Sequence, residues 1–270
     1  SHSVSNILQR GGTILKTARS ERFKTKEGRV AAATNIQRQG IEGLVVIGGD
    51  GSFRGLQTFL SEHPIPAIGI PKTIDNDIYG TDFAIGYDTA LNTVVQAVDK
   101  IRDTADSHDR LFFVEVMGRD AGFIAINAGI GSAAAAILIP ERKTSIEALV
   151  DKLKTRSKAK KSSNIVIVAE GGQSGSAQQI ADQVKPFLPH YDIKVTILGH
   201  LQRGGSPSSY DRLLASKLGV AAVEGLLQGK YDVMAGMINN KVVYTPIVKA
   251  IVDDKEVDEE DLRVANILST

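Results

Sequence analysis

The stretch "PKTIDND", residues 71–77, places two carboxylates, Asp75 and Asp77, on alternate positions beside Lys72 and Thr73. Alternate side chains of an extended segment face the same side, so both carboxylates can point into one site. One of them can accept a proton from a hydroxyl group while the other orients a metal or a nearby cation. Lys72 supplies the positive charge that a phosphoryl group in transfer requires. A turn with solvated acidic side chains is the alternative interpretation.

A second candidate site is the glycine-rich turn in "VVIGGDGSF", which predicts a strand, a turn and a helix that begins near Ser52. Main-chain N–H groups at such a junction bind phosphate, and Gly49 and Gly51 allow it to approach the backbone. Asp50 adds a hard oxygen ligand that suits Mg²⁺. The glycine spacing matches neither the P-loop nor the dinucleotide fingerprint, so a simple tight turn remains an equal alternative.

The composition excludes several classes of protein. The 270 residues are 42% hydrophobic and 23% charged, which is typical of a soluble globular chain, and the net charge of +1 provides no general attraction to nucleic acid or membranes. The absence of cysteine excludes thiol catalysis and disulfides. No apolar run approaches the roughly 20 residues of a membrane span, and the first residues lack a secretory signal pattern. We therefore expect a cytoplasmic protein.

The hydrophobic pattern predicts an α/β fold. Short apolar segments, closed by glycine, proline or polar residues, alternate with segments whose apolar residues recur every three or four positions. This alternation is typical of parallel strands covered by helices. Ligands bind at the carboxyl ends of such strands. We therefore expect one shared rim for the five polar loops that follow predicted strands: Gly49–Ser52, Pro71–Asp77, Met117–Arg119, Glu170–Gly172 and His200–Arg203.

Several basic residues also occur near strand ends, namely Arg110, Arg119, Lys194, His200 and Arg203. Basic residues at loop tips can hold a phosphorylated small molecule, although a lone arginine is more often a surface residue. The chain contains neither a zinc-binding His/Cys pattern nor a nucleophile elbow. Zinc and serine-hydrolase chemistry are therefore excluded as interpretations.

Taken together, the loops resemble the 6-phosphofructokinase family over nearly the whole chain. The motifs that carry the resemblance are, in order, "GGDGS", "PKTIDND", "GTDFAIGYDTA", "RDTADSH", "EVMGR", "VAEG" and "GHLQRGGSP". The resemblance implies transfer of a phosphoryl group from Mg·ATP to the 1-hydroxyl of fructose 6-phosphate. It also implies a homotetramer of two Rossmann-like α/β domains with the active site in the cleft. We expect residues 1–86 and 201–250 to bind nucleotide, residues 87–200 to bind sugar phosphate, and residues 251–270 to form a C-terminal segment.

The resemblance also implies roles for individual residues. Asp75 resembles the family's general base, which takes the proton of the sugar hydroxyl. Thr73 and Asp77 lie beside it, and Arg119 resembles the residue that stabilises the transferring group. The residues that match the sugar-phosphate site are Thr73, Asp75, Met117, Gly118, Arg119, Glu170, His200 and Arg203, with Arg110 and Lys194 reaching across a subunit interface. The residues that match the nucleotide site are Arg19, Ser20, Gly49, Asp50, Gly51, Ser52 and Lys72, with Asp50 as the metal contact.

The sequence leaves two questions open, namely whether the chain is catalytic and which phosphoryl donor it uses. The chain lacks the family's first strand and glycine-rich loop, which would suit a shortened enzyme or a non-catalytic homologue that binds sugar phosphate. The phosphoryl donor is also open, because pyrophosphate-dependent members tend to combine an aspartate at the position of Gly51 with a lysine at that of Lys72. This chain has only the lysine. Since an aspartate there would repel the α-phosphate of ATP, Gly51 favours ATP.

Overall fold

The computed structural model describes residues 4–105, 110–158, 164–172 and 175–269, and the chain divides into two compact units. The first unit comprises Ser1–Thr73, Asp77–Gly86 and Gly205–Lys255, and the second comprises Ile74–Asn76, Tyr87–Gly204 and Glu256–Thr270. The strands are β1 (Leu44–Gly48), β2 (Ala67–Pro71), β3 (Arg110–Val116), β4 (Ala136–Leu138), β5 (Ile165–Ala169), β6 (Asp192–Ile197), β7 (Val233–Ile238) and β8 (Lys241–Pro246). The helices are α1 (Glu21–Lys24), α2 (Lys26–Arg38), α3 (Asp50–Glu62), α4 (Tyr87–Ala105), α5 (Phe123–Gly131), α6 (Ile146–Lys158), α7 (Ala177–Val184), α8 (Ser209–Leu227), α9 (Ile247–Val252) and α10 (Glu259–Leu268).

The first unit contains a sheet with strand order β1-β2-β7-β8. All five residues of β2 are buried, as expected for a strand covered on both faces. Phe53 of α3 packs with Met234 and Ile251 on one face, and Leu214 and Leu218 of α8 pack in the cluster on the other. The sheet is therefore a central layer between helices.

The second unit contains an entirely parallel sheet with strand order β4-β5-β3-β6. The central strand β5 is fully buried, and Phe113 of β3 lies in a cluster with Leu149 of α6 and Ile180 of α7. Helices α4 and α5 contact β3 and β5, respectively. Among the helices of the described residues, none combines the length and apolar character of a membrane span.

The α/β prediction is confirmed, and all six predicted strands are present. The prediction of one rim for five loops is wrong, because β1 and β2 belong to one sheet while β3, β5 and β6 belong to another. The sequence interpretation also omitted the antiparallel hairpin of β7 and β8. Its turn residues Asn239 and Asn240 have φ of 49° and 59°, which matches the tight hairpin turns that asparagine favours.

The packing predicts that Phe113→Ala destabilises the protein strongly. Phe113 is 0% exposed at the centre of β3, so the substitution leaves a cavity and should lower the free energy of unfolding by about 3–5 kcal/mol. Urea denaturation followed by circular dichroism measures the change. Phe187→Ala is the control, because Phe187 is 53% exposed and should change stability little. Equal transition midpoints for the two variants would contradict the assigned core.

Candidate active site

The glycine-rich turn and the start of "PKTIDND" are neighbours in the first unit. The pairing of β1 with β2 places Gly48 opposite Pro71, and the Lys72 main-chain N–H donates to the Gly48 carbonyl at 2.9 Å. A Cβ atom on Gly49 would lie 3.4 Å from the Thr73 Cβ atom, so the two loops approach closely. The sheet thus brings together two groups of residues that helix α3 separates in the sequence.

The N-terminus of α3 presents an anion-binding backbone. The helix begins at Asp50, earlier than the predicted start near Ser52, and its N-cap Gly49 has no side chain that could cap it. The Ser52 and Phe53 N–H groups donate to the Gly49 carbonyl, at 3.0 and 3.1 Å. Earlier N–H groups of a helix have no intrahelical acceptor, and together with the helix dipole they favour a phosphate. A Cβ atom on Gly51 would meet nothing within 4 Å, so this end of the helix is open.

Asp50 is held in place by Arg54 one turn further along α3. Asp50 Oδ1 lies 2.8 Å from Arg54 Nε, and Arg54 also donates to the Ile251 carbonyl at 2.8 Å. Within the described ranges, no three His, Asp or Glu side chains converge on a position that could hold a metal ion. Mg²⁺ is commonly held by one or two carboxylates together with substrate phosphates. Asp50 therefore fits Mg²⁺ as one ligand of a site that bound phosphates complete.

The remaining nucleotide candidates of the first unit are exposed. Lys72 and Arg19 are both exposed, so their charges are accessible from solution. Ser20 is the N-cap of α1, and its side chain accepts from the Phe23 N–H at 3.2 Å. The contacts of Ser20 thus support α1, and they do not connect it with the glycine-rich turn.

In the second unit, Glu170 joins two of the predicted loops. Its Oε1 atom accepts hydrogen bonds from the main-chain N–H groups of Gly118 and Arg119, at 3.3 and 3.0 Å. Gly171 has a φ of +77°, and a Cβ atom there would lie 2.2 Å from the Arg119 carbonyl oxygen, so only glycine permits this approach. Arg119 itself has a φ of 58° and a side chain that is 65% exposed. The carboxylate thus fixes the backbone while the Arg119 guanidinium remains accessible.

Gln202 connects a third loop to this group, and the sequence analysis did not select it. Gln202 is 1% exposed in the short 3₁₀ helix Gly199–Arg203. It accepts from the Met117 N–H at 3.1 Å and donates to the Gly199 carbonyl at 3.0 Å. His200 and Arg203 on either side of it are exposed. The only signal for Gln202 in the sequence is its place between those two candidates.

Arg110 and Lys194 lie toward the amino-terminal ends of β3 and β6, whereas Met117 follows the carboxyl end of β3. Arg110 begins β3 and pairs with Asp192, the first residue of β6. Asp192 lies 2.9 Å from Lys194 Nζ and 3.4 Å from Arg110 Nε. The hydrogen bond from Lys194, followed by that from Arg110, lowers the pKa of the Asp192 carboxyl group. Arg110 lies roughly 20 Å before Met117 along β3, and Lys194 pairs with Phe112 in the same half of the sheet, so these two cations do not join the Glu170 group.

The "PKTIDND" stretch is more ordered than a solvated turn. Asn76 is 4% exposed with a φ of 57°, a conformation that asparagine tolerates better than most residues. Asp75 and Asp77 are both half-buried. Asp75 belongs to the second unit, whereas Thr73 and Asp77 belong to the first. The partial burial of both carboxylates therefore disfavours the solvated-turn alternative.

Comparison with known sequences identifies the family. The phosphofructokinase profile matches residues 1–226. An ATP-dependent 6-phosphofructokinase 2 from Bacteroides thetaiotaomicron is 55% identical over 269 residues, which are 100% of this chain and 82% of the relative. An ATP-dependent 6-phosphofructokinase 1 from Thermus thermophilus is 49% identical over 266 residues, which are 98% of this chain and 82% of the relative.

Solved structures agree with this assignment. Phosphofructokinase from Saccharomyces cerevisiae has a TM-score of 0.87 and 36% identity, and the alignment covers 98% of this chain and 39% of the yeast chain. A pyrophosphate-dependent phosphofructokinase from Marinobacter aquaeolei has a TM-score of 0.82 at 22% identity, covering 99% of this chain and 76% of that one, which shows a shared fold. The chain belongs to the phosphofructokinase family.

Proposed function

We propose that this protein transfers the γ-phosphoryl group of ATP to the 1-hydroxyl of fructose 6-phosphate, giving fructose 1,6-bisphosphate and ADP. The observation that carries the proposal is the 55% identity, across the whole chain, to a relative named ATP-dependent 6-phosphofructokinase. The open N-terminus of α3 beside Lys72 supports it, because phosphoryl transfer depends mainly on positioning and on charge stabilisation. The proposal is tested by coupled measurement of fructose 1,6-bisphosphate formation.

The donor side of the reaction is assigned to the first unit. Main-chain N–H groups at Gly49–Ser52 would hold phosphate oxygens, and Lys72 would neutralise the outer phosphates. Asp50 would hold Mg²⁺ together with those phosphates, and the ion when bound supplies positive charge to them. Arg19 and Ser20 are assigned to the nucleotide by the family resemblance alone.

The acceptor side is assigned to the second unit. Glu170 keeps the Gly118–Arg119 backbone fixed, so Met117, His200 and Arg203 would contact a sugar phosphate from a rigid frame. Arg110 and Lys194 lie toward the amino-terminal ends of β3 and β6 in the same sheet, which suits a contribution to the site of another subunit. We therefore propose a homotetramer in which these two cations reach a neighbouring sugar phosphate.

The chemical step requires a base and charge stabilisation. Asp75 would accept the proton of the 1-hydroxyl as that oxygen bonds to the γ-phosphorus. The bond from this phosphorus to its bridging oxygen breaks, and the electron pair leaves with ADP. Arg119, which is accessible on its fixed backbone, would stabilise the charge on the transferring group. Thr73 and Asp77 flank the base in the sequence and complete the assigned site.

Asp75→Asn should lower kcat by at least about a hundredfold, because an amide cannot accept the hydroxyl proton. The KM for fructose 6-phosphate should change little. Steady-state kinetics of the intact protein measure both constants. Asp151→Asn is the matched control, since Asp151 is exposed on α6 of the same unit and should leave turnover unchanged. Near-normal turnover of the Asp75 variant would exclude it as the base.

Gly51→Asp should lower kcat/KM for ATP far more than kcat/KM for pyrophosphate. The aspartate places a negative charge where the α-phosphate passes, and a specificity change of this kind acts through repulsion. Gly51→Ala is the matched control, because a Cβ atom there meets nothing within 4 Å and adds no charge. The alanine variant should keep ATP turnover. A wild-type protein that runs faster on pyrophosphate would overturn the assignment of the donor.

A further inference from the structure

The segment Asp77–Gly86, called the strap, returns from the candidate base region to the first sheet. The Ile85 N–H donates to the Pro71 carbonyl at 2.9 Å, and Ile85 forms a bridge with Lys72. Ile78 is 1% exposed in the cluster that contains Phe53 and Met234. The strap therefore packs into the core at Ile78 and returns to the end of β2 at Ile85.

The middle of the strap is bound to the β7–β8 hairpin. The Asp82 N–H donates to the Met237 carbonyl at 2.7 Å, and the Met237 N–H donates to Thr81 Oγ1 at 3.1 Å. The Asn239 N–H donates to Asp82 Oδ2 at 2.7 Å. A Cβ atom on Gly236 would lie 2.3 Å from the Gly80 carbonyl oxygen, so the two backbones are in close contact.

Lys255 also binds Asp82. Its Nζ atom donates to the Asp82 main-chain carbonyl at 2.7 Å. Burial lowers the pKa of the Lys255 ammonium to about 8. The negative charges of Asp82 and then Asp77, which face it from the strap, raise this pKa but do not cancel the effect of burial. A charged donor to a main-chain acceptor forms a stronger hydrogen bond than a neutral donor. Lys255 thus connects the end of the first unit with the loop that carries Asp77.

Folding stability alone does not explain a lysine at this position. Because the pKa in the folded protein lies below that of an exposed lysine, the charged form opposes folding at neutral pH, and this cost disappears as the pH rises above the ordinary lysine pKa. An apolar side chain of similar length would avoid the cost of burying the charge. A charged group that lowers folding stability is typical of a functional site.

We infer that Lys255 is a positioning residue for phosphoryl transfer, whose ammonium group fixes the strap at Asp82 and thereby orients Asp77. This inference rests on the proposed function. Lys255 would not touch the reacting atoms. It would set the direction in which the chain leaves the "PKTIDND" stretch, and small misplacements of catalytic groups reduce turnover strongly.

Lys255→Met tests the inference in the intact protein. We expect kcat to fall by about 10- to 100-fold with KM for both substrates within about threefold, because positioning rather than binding is lost. The melting temperature should stay equal or rise, since the partly buried charge is removed. Lys249→Met is the control, because Lys249 is exposed on α9, and its kcat should be unchanged. A kcat within twofold of wild type for Lys255→Met overturns the inference, and so does a loss explained by unfolded protein.

Lys255→Arg provides a second test that does not depend on the stability of the methionine variant. The guanidinium stays charged, so kcat should recover to within about threefold of wild type at neutral pH. The wild-type kcat should decline as the pH rises through about 8, the Lys255 pKa, and the decline should move to higher pH in the arginine variant. If kcat of the wild type and of Lys255→Arg declines over the same alkaline pH range, the inference is overturned. A wild-type protein that forms no fructose 1,6-bisphosphate contradicts the proposed function instead.

Discussion

The parallel pairing of β1 with β2 determines where the phosphate chemistry of this chain can occur. Gly48 lies opposite Pro71, and the hydrogen bond from the Lys72 N–H to the Gly48 carbonyl extends that register by one residue. Side chains alternate along a strand, so a shift of one residue would turn Lys72 to the opposite face of the sheet. The burial of β2 on both faces prevents such a shift. The glycine-rich turn and the lysine are therefore neighbours because of packing in the sheet below them.

In the second unit, hydrogen bonds of a few polar side chains fix the positions of the loops relative to one another. Glu170 binds two consecutive main-chain N–H groups, and Gln202 binds a third at Met117. Buried polar atoms require partners, so each of these contacts fixes the backbone of one loop relative to another. The side chains that remain exposed, such as Arg119 and His200, are presented from a rigid frame. The loops are thus ordered by one another as well as by their strands.

Charge in this protein is arranged locally, since the net charge is only +1. Asp50 is balanced by Arg54, and Asp192 by Lys194 and Arg110. Lys255 differs from these ion pairs, because burial has the largest effect on its pKa and the carboxylates of Asp82 and Asp77 offset that effect only in part. A charge that lowers folding stability near a reaction site is explained better by function than by structure.

The sequence by itself determined the α/β class, the six parallel strands and the loops with reactive side chains, because these depend on local periodicity and on residue type. The sequence also indicated the family, through seven short motifs in a fixed order. Only the tertiary structure decided the order of the strands within each sheet, the position of Arg110 and Lys194 away from Met117, and the contacts of Gln202 and Lys255 with the loops. Strand order and register depend on contacts between distant segments, and a buried glutamine or a partly buried lysine looks like any polar residue until its partners are known.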